Sequence, residues 1–356
     1  MKEETIFLTG FPGFIAGRLI KRLARDRAAR FLLLVQPSFL ERARQDIARI
    51  SEETGVAEAR FRIMAGDITK PDLGLEPGEL EEAREQTTTL FHLAAIYDLA
   101  VARATAMLVN LEGTRNVNRF ARSLKNLGRY HYVSTCYVAG KRRGLILETE
   151  LRHTAGFRNH YEETKYLAEI EVDELKRELP ITIHRPSVVC GDSRTGETAK
   201  YDGIYYLIHY LRMNPRLLSL FNIGNRKVSL NLVPVDFVVE AIDALARDER
   251  AVGATVQLAD PSPLTTHELF EEIARALAGR SSRLTLPARV VRPSLMLPLS
   301  PTLTGLPHAG VPYFFLNQTY DTAVASSLLE PHGTRCPPFP SYVQALIDFV
   351  ERHPKL

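Results

Sequence analysis

Cysteine is scarce in this 356-residue chain: Cys136, Cys190 and Cys336 are the only three, far apart and without a CxxC pair. That spacing argues against a disulfide framework and a thiolate zinc site, so no metal is expected, and it predicts a reducing, cytoplasmic setting. Charge of one sign is also missing. Lys and Arg number 45 against 42 Asp and Glu, a formal net charge of +3. No basic run carries interleaved aromatics, so nucleic acid is not an expected partner. The opening MKEETIFLTG lacks a basic stretch followed by an apolar core, so no secretory signal is expected. The apolar stretch Ala288–Phe315 is broken by prolines and two arginines. It therefore reads as something other than a spanning helix, and no integral membrane segment is expected. Internal repeats and low-complexity tracts are absent too.

What is present is a rhythm. Short apolar runs, TIFLT (Thr5–Thr9), FLLLV (Phe31–Val35), RFRIM (Arg60–Met64), TLFHLA (Thr89–Ala94), YHYVST (Tyr130–Thr135) and TIHRP (Thr182–Pro186), read as strands. They are not cleanly alternating, as strands buried on both faces are not. Helical patterns separate them, the longest being Ala102–Leu124 and Tyr161–Leu175. This alternation predicts an α/β fold: a Rossmann-type doubly wound parallel sheet with a smaller C-terminal substrate-binding region. The expected boundaries are 1–188 for the dinucleotide-binding domain, with 228–250 returning to it. Residues 189–227 and 251–356 form the smaller region.

The first strand runs into TGFPGFIAGRL (Thr9–Leu19). Gly10 permits a tight turn, Gly13 lets backbone approach a pyrophosphate, and Ala16 is small enough for helix–strand packing. The helix that follows would offer free N–H groups and a partial positive charge to the phosphates. Asp67, after the third strand, is placed to bond an adenine amino group. His92-Leu93-Ala94-Ala95 and Asn110-Leu111-Glu112-Gly113-Thr114 fit the same crevice, although a packed histidine and a polar helix face are the simpler readings of His92 and Asn110 alone.

Tyr161 and Lys165 stand four apart on a predicted helix, one turn above each other on one face. A tyrosine with an ordinary pKa of about 10 is a poor proton donor or acceptor at neutral pH, and a neighbouring ammonium lowers it. Ser134 and Thr135 close the fifth strand, at the edge where open α/β sheets bind ligands. Thr135 is the better placed to hold a carbonyl oxygen beside the tyrosine, with Ser134 the alternative.

Taken in order, TGFPGFIA, GDI, HLAA, NLEGT, VSTCYVAG and YEETK resemble an extended short-chain dehydrogenase/reductase. GDITKPDLGL (Gly66–Leu75), RPSVVCGDSRTGE (Arg185–Glu197) and NLVPVDFVVEA (Asn231–Ala241) narrow the resemblance to the thioester reductase and fatty acyl reductase branch, with its "male sterility" type of NAD-binding domain. The resemblance implies Thr135, Tyr161 and Lys165 as a catalytic trio. It implies a nucleotide lined by Gly10, Phe11, Pro12, Gly13, Phe14 and Ile15, by Gln36, by Asp67 and Ile68, and by Ala94 and Ala95. Asn110, Ser134, Tyr161, Lys165, Pro186, Ser187 and Val188 complete the lining. Gln36 ends the second strand where relatives carry an arginine for a 2′-phosphate. It is not the acidic residue that marks NAD, and Arg42 and Arg44 follow closely, so the expectation is NADP(H) over NAD(H).

The expected reaction is hydride transfer to or from a carbonyl or alcohol, with a small apolar substrate and a homodimeric protein. Reduction of an acyl thioester or aldehyde leads. A ketone reductase or hydroxysteroid-like secondary-alcohol dehydrogenase is the alternative, and a non-catalytic NADP-binding redox sensor is the reading from another class. An epimerase would ask for an acidic end to the second strand. Cys136 as a thiol nucleophile lacks a histidine–acid partner and reads as packing.

Overall fold

The computed structural model describes residues 4–354. Seven strands form one sheet: β1 (Glu4–Thr9), β2 (Ala29–Val35), β3 (Phe61–Ala65), β4 (Thr89–His92), β5 (Arg129–Val133), β6 (Ile181–Pro186) and β7 (Thr255–Leu258). Their order is β3-β2-β1-β4-β5-β6-β7, and every neighbouring pair is parallel. All strand exits therefore lie along one edge, and the winding reverses between β1 and β4, where a doubly wound sheet opens its ligand crevice.

The strand sequences follow from burial on both faces. In β1, Ile6 and Leu8 enter one core and Phe7 the other. Helix α1 (Phe14–Asp26) buries Ala16, Leu19, Ile20, Leu23 and Ala24, three and four apart, against helix α2 (Val235–Arg247). The opposite face is covered by a helix running 103–123, α3, and by α4 (His160–Leu175). Helix α3 is interrupted by a π turn at Met107–Glu112.

A second core gathers Tyr205, Ile208 and Leu211 of Tyr205–Met213 with Phe270 and Ile273 of Thr266–Ala278 and Leu346 and Ile347 of Val343–Arg352. These elements fall in the stretch expected as the smaller region. Its boundary differs from the expectation in two places. Thr255–Leu258, assigned from sequence to the smaller region, is the edge strand β7 of the main sheet. Ala325, Leu328 and Leu329 pack into the main core too. Strands β4 and β5 also end two residues sooner than expected, which leaves Leu93-Ala94 and Ser134-Thr135 in loops at the active edge. Ala288–Phe315 folds into short helices and turns, and no described helix is long and apolar enough to cross a membrane.

Candidate active site

The glycine turn is fixed by sterics. Gly10 has φ +98°, and a Cβ there would lie 2.8 Å from the Ala94 nitrogen and 2.9 Å from the Leu93 carbonyl carbon. The exits of β1 and β4 thus abut through the missing side chain. At Gly13 a Cβ would meet the Gly10 oxygen at 2.7 Å, and the Gly13 N–H donates to that oxygen at 2.8 Å. The second glycine therefore closes the turn before it does anything for a ligand. Gly13 is the N-cap of α1, no side chain caps it and the first turn holds no acid. Those N–H groups remain available to a phosphate, so the residues present fit a bound dinucleotide. Phe11 and Pro12 are buried, and Phe14 and Ile15 pack against the main core, so these four offer backbone and packing rather than polar side chains.

At the far end of the crevice the Gln36 amide donates to Asp67 Oδ2 at 3.0 Å, and the Thr69 N–H donates to Asp67 Oδ1 at 2.8 Å. Burial alone would raise the Asp67 carboxyl; the Gln36 amide, Thr69 and Lys70 together hold it below the ordinary value. Arg42 and Arg44 are exposed and paired along their own helix with Asp46 and Glu41. Ile68 is buried beneath α3: a Cβ on Gly113 would meet its Cδ1 at 2.7 Å, which explains the glycine of NLEGT. Ala94 is half-buried and Ala95 exposed in the β4 exit loop. At the exit of β6, Pro186 is buried and the Ser187 hydroxyl donates to the Asn231 oxygen at 2.7 Å, beside half-buried Val188.

The hydroxyl cluster sits at the exit of β5. Thr135 N-caps a short 3₁₀ turn, accepting from the Tyr137 N–H at 3.2 Å. Its hydroxyl lies close enough to Tyr161 to oppose the burial-driven rise of the phenol's pKa. Ser134 points elsewhere and donates to the buried Glu169 carboxylate, which also takes Nε of Arg185 at 2.8 Å. Of the two hydroxyls, Ser134 is engaged with Glu169 and Thr135 is the one near Tyr161. Asn159 N-caps α4, which places Tyr161 in its first turn. Asn110, in the π turn of α3, accepts from the Ile96 N–H at 2.8 Å and donates to Thr164 at 3.1 Å. It acts as a brace between the β4 exit loop and α4.

Lys165 does not reach the phenol through a direct hydrogen bond. The Lys165 ammonium donates to Tyr132 Oη at 3.0 Å and to the Val133 oxygen at 2.9 Å, and among the described residues it has no hydrogen bond to Tyr161. Burial pushes the Tyr161 hydroxyl well above the ordinary tyrosine range; Thr135 pulls the other way and Glu162 reinforces the rise. Burial brings Lys165 down to about 7, opposed by Glu169. The physical reason is desolvation: both groups are almost fully buried. Cys136 is buried, donates to the Arg185 oxygen at 3.1 Å and has its thiol pushed up by burial, as a packing residue does. The three cysteines are free, and no cluster suited to a metal occurs among the described residues.

Three residues of this site escaped the sequence reading. Tyr97 sets its ring edge-on to Tyr161, centroids 5.1 Å apart, under the Lys200 ammonium at 4.1 Å. Tyr132 and Glu169 surround Lys165. Tyr97 had a signal, since it follows HLAA at the active edge; Glu169 had the four-residue spacing from Lys165. Farther out, Tyr206, Leu207 and Tyr210 face Leu295, Leu306, Phe314 and Phe315 across a small apolar pocket of about 40 Å³. Two apolar segments distant in sequence, both noted above, share this pocket.

Residues 8–242 match the NAD-binding family described as Male sterility protein. The chain is similar to glycine betaine reductase ATRR of Emericella nidulans, 27% identical over 289 residues, 76% of this chain and 22% of that protein. It is similar to fatty acyl-CoA reductase wat of Drosophila melanogaster, 26% identical over 286 residues, 69% of this chain and 54% of that protein. It thus spans 22% and 54% of the length of these two curated relatives. Among solved structures, the terminal R domain from the myxalamid PKS-NRPS biosynthetic pathway superposes with a TM-score of 0.83 at 26% identity, covering 100% of this chain and 92% of that one.

Proposed function

The chain belongs to the Male sterility protein family of NAD-binding oxidoreductases, and on that premise we propose that it reduces an apolar acyl thioester or aldehyde, with NADP(H) as its nicotinamide cofactor. The observation that carries this reading is the placement of Thr135 at the exit of β5 and of Tyr161, buried, in the first turn of α4, with Thr135 near enough to pull on the phenol. The names of the relatives, a fatty acyl-CoA reductase and a glycine betaine reductase, support reduction at the acyl level.

Gly10, Gly13 and the first turn of α1 would hold the pyrophosphate, with Asp67 and Gln36 toward the adenosine. Gln36 presents no carboxylate to repel a 2′-phosphate, which favours NADP(H). A reduced nicotinamide held beside Tyr161 would provide the hydride that the carbonyl carbon accepts. Thr135 donates a hydrogen bond to the carbonyl oxygen as it gains charge. Tyr161 gives that oxygen its proton; its raised pKa keeps the phenol protonated until then. Lys165, on the same helix face, supplies the positive charge that favours the phenolate left behind. From a thioester, the product at this stage is a hemithioacetal, which loses thiol to give an aldehyde. The apolar pocket would take the chain of the substrate.

The test is cofactor oxidation with NADPH and NADH across short and long acyl thioesters, aldehydes and ketones. The reading expects rates that rise with chain length on thioesters or aldehydes, faster with NADPH. Equal rates across chain length would remove the pocket from the account. Turnover confined to ketones and secondary alcohols would replace it with the dehydrogenase reading.

A further inference from the structure

One stretch of the chain carries no acid. Asp and Glu number 42 of 356 residues, yet residues 273–320, between Glu272 and Asp321, hold neither. They hold Arg275, Arg280, Arg283, Arg289 and Arg292 instead. Arg275 is paired with Glu272, and Arg280 donates to the Ser219 hydroxyl at 3.3 Å. Arg283, Arg289 and Arg292 are exposed and form no ion pair among the described residues. Exposed arginines elsewhere, such as Arg49, Arg103 and Arg122, have carboxylate partners. The nearest acids are already engaged, Glu271 by Asn222 and Ser282 and Glu272 by Arg275. The same stretch exposes Leu284, Val290, Met296, Leu297 and Leu299. Leu299, at 72%, is the most exposed large apolar side chain among the described residues. The helix Ala288–Leu295 gives the stretch two sides. Val291 is buried and Leu295 lines the apolar pocket, while Arg289, Val290 and Arg292 are open to water. Next to it, Leu284 pairs in register with Phe221, which is exposed too.

We propose that this face, residues 283–299, docks the protein on the surface of a membrane rich in anionic phospholipid. Unpaired arginines and bare aliphatic side chains alternate along it. The centre of a protein–protein interface is depleted of charge, so this mixture suits it poorly. A bilayer takes both at once: the guanidinium groups meet phosphate and anionic headgroups, and Val290, Met296, Leu297 and Leu299 enter the acyl boundary. The attachment is peripheral, since prolines break the stretch and no described helix is long and apolar enough to cross. Leu295, Leu306, Phe314 and Phe315, from the same acid-free stretch, line the apolar pocket behind this face. Docking therefore brings the pocket to a bilayer that dissolves apolar chains. That use of the surface rests on the reductase reading, but the docking does not.

The test is co-sedimentation of the whole chain with vesicles of phosphatidylcholine alone and of phosphatidylcholine mixed equally with phosphatidylserine. The expected result is binding to the mixed vesicles, little to phosphatidylcholine alone, and release by salt. Leu297→Glu combined with Leu299→Glu should lower the ratio of bound to free protein by about tenfold or more. Arg289→Ala combined with Arg292→Ala should lower it by about tenfold on the mixed vesicles. Val252→Glu is the control. Val252 is 39% exposed and lies just before β7, at the entry side of the sheet, so its substitution should leave binding in place. Circular dichroism checks each variant, and if one pair fails to fold the other still decides. Wild type that stays in the supernatant with both vesicles, binds both alike, or binds no better than the two double variants overturns the proposal. So does a wild type that is dimeric without lipid and monomeric after Leu297→Glu with Leu299→Glu, which would assign the face to a second copy of the chain. A protein that binds the mixed vesicles but oxidises NADPH with no carbonyl would sink the reductase reading and leave the docking intact.

Discussion

Thr135 and Ser134 are chemically alike and adjacent, yet their surroundings separate them. Ser134 spends its hydroxyl on Glu169, while Thr135 meets Tyr161. Removing the Thr135 hydroxyl by Thr135→Ala should lower kcat on the order of 10²-fold, the usual cost of one donor to a developing oxyanion, and Thr135→Ser should restore most of it. Ser134→Ala should instead act through the Glu169–Arg185 pair and lower stability. Steady-state rates and thermal melts on the three variants check this; equal loss of kcat in both alanine variants would contradict it. Gly10→Ala is expected to cost about 1–3 kcal/mol, from its positive φ and the contact with Ala94, as measured by denaturant midpoint. At this scale the sequence showed which residues gather but not how their hydrogen bonds are shared. The four-residue spacing of Tyr161 and Lys165 put both on one face. It carried no information on Tyr132, whose hydroxyl takes the ammonium.

The helix that carries Tyr161 is held at its start by a chain segment far away in sequence. Asn159 caps α4, the buried Glu162 carboxylate accepts from the Arg158 N–H at 2.9 Å, and Tyr313 donates to Glu162 at 2.6 Å. Tyr313 also accepts from Asn159 at 2.7 Å. Its neighbours Phe314 and Phe315 line the apolar pocket, so one phenol ties the pocket wall to the helix that carries Tyr161. Tyr313→Phe leaves a buried carboxylate short of a donor and should destabilise the protein by about 1–3 kcal/mol in denaturant unfolding; no measurable change would mean the cap stands without it. Most elements were legible because long helices and doubly buried strands carry strong patterns. Thr255–Leu258 was not, since four residues containing a polar Gln257 give no run to detect. That glutamine is buried because its amide donates to the Ile146 oxygen at 3.0 Å, a contact set by tertiary structure. The π turn at Met107–Glu112 was equally invisible, yet it is where Asn110 reaches the β4 exit loop.

Across the whole molecule, the glycine-turn half and the returning helix α2 meet at a buried carboxylate. Asp243 of α2 is buried and pairs with Arg27 at 2.9 Å, Arg22 at 3.0 Å and Arg247 at 2.6 Å. Burial alone would raise its pKa, but Arg27 and Arg247 hold it below the ordinary aspartate value. The unfolded chain therefore takes up a proton at a higher pH than the folded one. The stability this carboxylate contributes is complete above the unfolded pKa, about 4, and is lost as pH falls toward the lower folded value. Thermal midpoints should drop across that acid window in the wild type and drop less steeply in Asp243→Asn, which should be less stable at neutral pH. A parallel pH course in the two proteins would remove Asp243 from this role. The parallel sheet and the glycine turn were readable from the sequence at this scale. The Asp243 junction was not, because Arg22 and Arg27 lie more than 200 positions away from it in the chain.

The account depends most on the Tyr161 hydroxyl as the proton donor opposite a bound nicotinamide. The direct measurement compares wild type with Tyr161→Phe in two assays, NADPH binding by fluorescence and NADPH oxidation with the best carbonyl substrate. The prediction is unchanged binding with turnover reduced on the order of 10²–10⁴-fold, the usual contribution of a positioned acid. Turnover by Tyr161→Phe at the wild-type rate would contradict it.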